Sequence, residues 1–312
     1  DWARACGPPV CEAQIRNTPG DFEVTELLDI DFSGDGEHDW LWVEKTGANT
    51  NWVADQLARY AGVASKDVGY SGLKDRHAVT KQGFSVRRPT GEGTDWGALD
   101  IDGVTLLEQH RHQRKLKRGA HQANAFRIAL RGDEVDAHRK ELAERLEAMA
   151  VNGAPNYFGE QRFGRDGGNI ALGEAVLAGR RVSRNKRSIG LSAVRSLHFN
   201  NELSDRIEAG TWNCLLPGDK ANLDGSGSVF DAEEVTDELS QRCAELDIHP
   251  CGTLPALDAA GVKAASRPLR MRVKKLQWEF AEAALLLEFE LRKGSFATSV
   301  LRELVRYTQR RN

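Results

Sequence analysis

Apolar and polar positions alternate at period two from Phe22 and Val24 on to Leu28, Ile30 and Phe32, which predicts an extended segment. A glycine-bearing turn over Ser33 to Gly36 leads to a second strand, Asp39 to Lys45, with Trp40, Leu41, Trp42 and Val43 inside it. The period then changes to helical: Val53, Leu57 and Tyr60 share a face behind Asn49 or Thr50 as the cap, and Gly62 ends the helix. A strand ending at Val68 and Tyr70, a turn at Ser71 and Gly72, and a returning strand from Thr80 to Val86 come next. Further strands are predicted near Val104 to Leu107 and Ala125 to Leu130. A helix from Asp133, with Val135, Leu142, Leu146 and Met149 at helical spacing, stops at Gly153 to Pro155. Residues 1 to 20, with Pro8, Pro9 and Pro19, predict irregular chain.

The stretch from 156 to about 266 has few alternating strands, many glycines and helical runs at Ser188 to Ala209 and Asp231 to Asp247. Alternation resumes at Leu276, Trp278 and Phe280 and again at Leu285, Leu287, Phe289 and Leu291, which suits antiparallel pairing with one solvated face. Ser295 is read as the cap of a last helix running through Val300, Leu304 and Tyr307. The expectation is an α+β fold with a mixed or antiparallel sheet. A discontinuous domain of residues 1–153 and 267–312 is interrupted by a mostly helical insert, 154–266.

Composition narrows the function classes. With 312 residues, 40% of them hydrophobic and 29% charged, the chain has the balance of a globular protein with a sizeable core. No apolar run approaches the roughly 20 residues of a membrane span, and no charged-then-apolar leader opens the chain. Five cysteines without a CxxC pair argue against a disulfide framework or structural zinc and favour a reducing cytoplasm. The net charge of −3 hides two basic clusters. One is Arg111, Arg114, Lys115, Lys117 and Arg118; the other is Arg180, Arg181, Arg184, Lys186 and Arg187, with Arg195 close behind. Each is either a solvated charge run or a grip on a polyanion, and composition does not separate RNA from DNA.

The chemistry concentrates in GYSGLKDRHAVTKQ, Gly69 to Gln82. A carboxylate set among Lys74, Arg76 and His77 at the mouth of a strand-turn-strand is either a surface ion pair or an active-site acid. This string resembles the signature of the TruD-type tRNA pseudouridine synthases. Four more blocks occur in the family's order: PGDFEVTE from Pro19, ANAF from Ala123, NYFGEQRFG from Asn156 and GSFATSVLREL from Gly294. NKRS at Asn185 and LSAVRS at Leu191 are similar to family blocks within the insert, while Gly20 stands where an acidic residue is commoner.

The resemblance implies a permuted pseudouridine synthase fold with a family-specific insert, V-shaped, with RNA in the cleft. It implies isomerisation of uridine 13 in the D-arm of tRNA by a monomer, without cofactor, metal or guide RNA. Asp75 is the implied catalytic carboxylate, acting as nucleophile on the sugar or base or as base toward a ribose proton. Arg16 is the candidate ion-pair partner, with Lys74 competing. Phe126 is the implied stacking platform, with Phe22 and Phe296 as the alternatives, each also suited to core packing. Asn124, two residues from Phe126 along one strand, suits positioning Asp75 or the uracil edge. His77 is read as structural or RNA-contacting, since no nucleophile motif accompanies it. NYFGEQRFG is read as hinge packing or RNA contact, with Arg162 the residue for RNA. Two other functions stay open at this point: a tRNA-binding or tRNA-folding module with secondary catalysis, and a base-releasing hydrolase.

Overall fold

The computed structural model describes residues 1–88, 93–223 and 228–309. In chain order its first strands are β1 (Glu12–Ile15), β2 (Phe22–Leu27) and β3 (His38–Lys45), followed by helix α1 (Thr50–Tyr60). Strands β4 (Val68–Tyr70), β5 (Val79–Arg87), β6 (Val104–His112) and β7 (Ala123–Arg131) precede helices α2 (Asp133–Ala137) and α3 (Arg139–Asn152). The middle of the chain holds β8 (Ala154–Pro155), α4 (Gly168–Leu177), α5 (Arg184–Glu208), β9 (Asp219–Leu223), β10 (Val229–Ala232) and α6 (Asp237–Leu246). Strands β11 (Ile248–Leu254), β12 (Ala265–Pro268), β13 (Arg270–Met271), β14 (Lys274–Ala281) and β15 (Ala284–Arg292) lead to α7 (Ala297–Leu304) and β16 (Arg306–Gln309).

The chain divides into two compact units. One comprises 11–141, 274–294 and 306–312; the other comprises 1–10, 142–273 and 295–305. These divisions fall at other points than the 153/154 and 266/267 boundaries drawn from composition.

The first unit is built on a mixed sheet ordered β14-β15-β7-β2-β5-β3-β6, with β4 on β5 and β1 joining β7 to β16. The pairs β2–β5 and β1–β16 are parallel; the other ladders are antiparallel. Leu41, Val43, Phe84 and Val86 pack with Val53 and Leu57 of α1, so that helix covers one stretch of the sheet. Two sequence expectations give way here. Residues 1 to 20 are not wholly irregular, because β1 pairs with β16 at the far end of the chain. Tyr307 belongs to that strand and not to the last helix, which stops at Leu304. Local periodicity carries no signal for a ladder between strands so far apart in sequence.

The second unit adds a sheet to the helices that the sequence leads one to expect in the insert. Beside α4, α5 and α6 it holds an antiparallel sheet ordered β10-β9-β11-β12. Its strands are short and polar, and small buried residues such as Ala221 and Ala232 supply the inward face, so no strong alternation marks them. The predicted helix at Asp231 begins instead at Asp237, where the Thr236 hydroxyl accepts from Leu239 N at 3.1 Å and caps it. Asp231 is in β10. Helix α5 starts four residues earlier than expected, at Arg184, because Ser183 caps it. Phe296, not Ser295, occupies the cap position of α7. The helix predicted from Asp133 breaks at His138 into α2 and α3. Tyr157, Phe158, Phe163, Phe199, Leu203 and Leu269 form this unit's core.

Candidate active site

Asp75 sits in the loop between β4 and β5, and nearly every residue of that loop is tied down. Gly119 N donates to Ser71 O (2.7 Å), and Gln82 Nε2 to Gly72 O (3.3 Å). Lys74 N donates to Thr50 Oγ1 (3.0 Å), Lys45 Nζ to Asp75 O (3.0 Å) and Arg76 Nε to Gly47 O (3.0 Å). Thr50 in turn donates to Gln82 Oε1 at 2.9 Å, linking the first turn of α1 to β5 beneath the loop. A carboxylate on a loop held this way keeps its position without any help from substrate.

Both carboxylate oxygens of Asp75 are aimed. Oδ1 accepts from the backbone N–H of His77 at 3.0 Å, and Oδ2 lies 2.7 Å from a terminal nitrogen of Arg16. His77 therefore contributes its backbone here, and its side chain is exposed. The Asp75 side chain keeps 29% of its surface accessible whereas Arg16 keeps 8%, so the acid is reachable and its cation is sheltered. Arg16 adopts φ 59°, a left-handed conformation that costs a non-glycine residue about 1–3 kcal/mol and is tolerated where surrounding contacts hold it. Its guanidinium lies 4.1 Å over the Phe22 ring, and burial pulls its pKa down while Asp75 opposes that shift. Lys74, the competing partner, turns elsewhere: its ammonium is 2.6 Å from Glu26 Oε1, with both side chains buried.

Register places Val24 opposite Phe126 and Glu26 opposite Asn124, and pairs Thr80 with both Val24 and Lys45. Paired residues share a face of the sheet, so these side chains lie on the face that Arg16 covers at Phe22. Phe126 is half-buried, edge-on to Phe22 (6.3 Å) and stacked on Phe289 (5.4 Å). Phe22 and Phe289 are core residues, and Phe22 already has its ring face under Arg16. Among the described residues, Asn124 Oδ1 and Thr80 Oγ1 are buried with no hydrogen-bond partner. Phe296 lies in the other unit, near Phe158 (6.1 Å).

Further contacts fix the turn before the loop. Ser71 Oγ and His121 Nδ1 are 2.5 Å apart, and His121 N donates to the same hydroxyl at 2.7 Å. Burial pushes the His121 imidazole down to about 4, helped by the positive charges of Lys74 and Lys293. In the unfolded chain the ring takes its proton nearer 6.5, so stability is lost as pH falls from there toward 4, by at most about 3 kcal/mol. Replacing His121 with Gln should flatten this acid limb, read as the urea midpoint at neutral pH and near pH 4.5. Equal slopes in the two proteins would sink the assignment.

The basic clusters separate into free-standing and occupied cations. Arg114, Lys117, Arg180, Arg181, Arg184 and Lys186 are exposed. Arg118 lies 3.8 Å over the Tyr70 ring, and Lys115 donates to Lys66 O, which packs this segment along β4. A Cβ on Gly69 would come within 2.4 Å of Leu116 O, so only glycine admits that approach. Arg111 is drawn onto Asp39 at 3.6 Å. Arg187 is exposed but donates to Ala260 O (2.9 Å). Arg195 spends its guanidinium on the carbonyls of Pro255, Leu254 and Lys263. Arg162 is half-buried, 5.1 Å over the Phe158 ring and bonded to Ser192. Arg195 uses both Nε and Nη2 internally, whereas among the described residues Arg162 donates through Nη1 alone. Arg267, which no sequence pattern singles out, lies 4.0 Å over Phe158 and donates to Asn156, and burial lowers its pKa to about 9.

Lys45, Glu26, Thr50, Gln82 and His121 also belong to this site, and sequence reasoning does not pick them out. Lys45 has a usable signal: Leu41, Val43 and Lys45 fall on one side of a strand, which puts the lysine inward. His121 has none. Among the described residues no cluster of three or more His, Cys, Asp or Glu side chains could hold a metal ion, and no helix is long and apolar enough to cross a membrane.

Known proteins resemble this chain over most of its length. The family described as "tRNA pseudouridine synthase D (TruD)" matches residues 5–181. A tRNA pseudouridine synthase D of Methylococcus capsulatus is 41% identical, the alignment covering 98% of this chain and 95% of that one. That of Azotobacter vinelandii is 43% identical over 97% of this chain and 93% of its own. A crystal structure of a Methanosarcina mazei protein assigned to the same family superposes with a TM-score of 0.76 at 20% identity, covering 97% and 95% of the two chains. That last likeness speaks for the fold, and the identities carry the kinship: the chain belongs to the TruD family of tRNA pseudouridine synthases.

Proposed function

We propose that this enzyme converts uridine 13 in the D-arm of tRNA to pseudouridine, with Asp75 as the group that acts on the nucleoside. The observation that carries the reading is the Arg16–Asp75 pair at 2.7 Å, a partly accessible carboxylate on a sheltered cation in a tethered loop. The names borne by the relatives, tRNA pseudouridine synthase D, support tRNA as the substrate. The reaction breaks the bond from ribose to the uracil nitrogen and rejoins ribose to a ring carbon. It involves no redox change and no net hydrolysis, so it asks for a carboxylate and a site that retains the detached base. Asp75 acts as nucleophile or as base toward a ribose proton. Drawing the uridine from its stack costs a few kcal/mol, and stacking on Phe126 returns about 1–3 kcal/mol. Asn124, whose side-chain oxygen is buried without a hydrogen-bond partner among the described residues, would orient the base or Asp75. The protein works as a monomer in the cytoplasm.

The test uses a tRNA transcript with uridine at position 13 and a second with cytidine there, digested to nucleosides after incubation. Pseudouridine should appear from the first only, with an equal loss of uridine and no change in mass. Free uracil in place of the isomer would convert the reading to a base-releasing hydrolase. Equal product from both transcripts would refute the position.

RNA contact is assigned to the exposed cations at the start of α5. Replacing Arg184 and Arg187 together with Glu should weaken tRNA binding and lower the slope of log affinity against log salt by about 1–2. Unchanged binding would mean that this helix end does not hold RNA.

A further inference from the structure

Lys45 is a buried cation to which the reaction as described assigns no task. It is the last residue of β3 and is 1% exposed. Its ammonium donates to Ala48 O at 2.8 Å and to Asp75 O at 3.0 Å. Both acceptors are carbonyls, and among the described residues no carboxylate forms an ion pair with it within 4.0 Å. Charge in such a place is costly, and a methionine of similar length would fill the strand position beside Val43 without that cost. The charged groups that act on it are Asp75, which favours its protonation, and Lys74, which opposes it.

We infer that Lys45 is a positioning residue for Asp75, bracing the catalytic loop from beneath and supplying a second positive charge behind the carboxylate. The inference rests on the pseudouridine synthase reading. When a nucleoside covers Asp75, water leaves the 29% of the side chain that is now accessible. The carboxylate then depends on fixed charges, Arg16 at its oxygens and Lys45 at its backbone, and these act more strongly once water is gone. Lys45 also holds the carbonyl of the reacting residue itself, so losing it frees the main chain that carries the acid. Burial brings the Lys45 ammonium down to about 8, so it loses its charge within the pH range of an ordinary assay.

The experiment measures single-turnover conversion of uridine 13 at saturating enzyme, from about pH 6.5 to 8.8, for wild type, Lys45→Gln and Lys45→Met. Wild type should slow as pH rises through about 8. Lys45→Gln, which keeps a donor without charge, should be about tenfold slower at neutral pH, with a flat profile. Lys45→Met, which keeps neither, should be about a hundredfold slower, with tRNA affinity unchanged and a melting midpoint no lower than wild type. A wild-type rate that does not fall above pH 8 would overturn the inference even if a variant failed to fold. So would wild-type rates in either variant. A wild type that makes no pseudouridine at all would instead overturn the proposed function, leaving a different signature from the failure of Lys45.

Discussion

Asp75→Asn is expected to make no pseudouridine while binding tRNA within about twofold of wild type, because the change removes a charge and little else. Asparagine has the same shape, so its side-chain oxygen can still accept from His77 N, which holds Oδ1 at 3.0 Å. On the proposed role of Asp75, what disappears is the nucleophile or base, since an amide neither attacks a sugar nor takes a ribose proton at neutral pH. The buried Arg16 guanidinium loses its carboxylate partner and keeps only the Phe22 face. Unpairing that cation will lower stability, so the variant should be assayed well below its melting midpoint. RNA affinity should persist if, as proposed, exposed cations far along the sequence hold the phosphates, since such contacts do not depend on Asp75. Digestion of the product RNA to nucleosides decides the matter. Equal product from both proteins would remove Asp75 from the mechanism.

Glu26→Gln should destabilise the protein by about 3–5 kcal/mol, the usual result of unpairing a buried charge. Lys74 lies 2.6 Å from Glu26 with 6% of its side chain exposed, and Glu26 is fully buried. The other Glu26 oxygen accepts from Gly83 N at 3.2 Å, so the pair joins the Asp75 loop to two strands at once. Burial raises the Glu26 pKa, and the Lys74 charge and its hydrogen bond oppose that rise. Replacing both together, Glu26→Gln with Lys74→Met, removes the stranded charge and should restore most of the lost stability. Urea denaturation of the three variants tests this. A double variant as unstable as the single one would mean the penalty comes from packing and not from the unpaired ammonium. Activity offers a second readout, because the Lys74 backbone also anchors the loop through Thr50.

Much of the site is legible in the linear chain, and what misleads there has physical causes. Asp75 stands out by its block, and the resemblance points to Arg16 as its partner although no local pattern places the two together. Lys74 is the rival only because it is the neighbour in sequence; in three dimensions its side chain leaves for Glu26. Arg195 and Arg162 are singled out as RNA contacts because they are cationic; in the fold Arg195 also donates to carbonyls and Arg162 donates through one nitrogen to Ser192. Phe22 belongs to a block rich in site residues, but Arg16 lies on its ring. The sheet of the second unit is hidden because its strands bury alanine and asparagine, which carry little hydrophobic contrast.

Sequence alone determined the elements whose hydrophobic pattern is local: the periodic strands β2, β3, β5, β7 and β15, helix α1, and the loop that presents Asp75. It also determined which residue types are available for chemistry, since block order and spacing are properties of the chain. Tertiary structure decided every pairing across long separations. It set β1 beside β16, turned Arg16 rather than Lys74 toward Asp75, and brought the Lys45 amine under the loop. Those outcomes depend on which partners meet after the chain has closed on itself, and a linear pattern of hydrophobic and polar residues holds no record of such meetings.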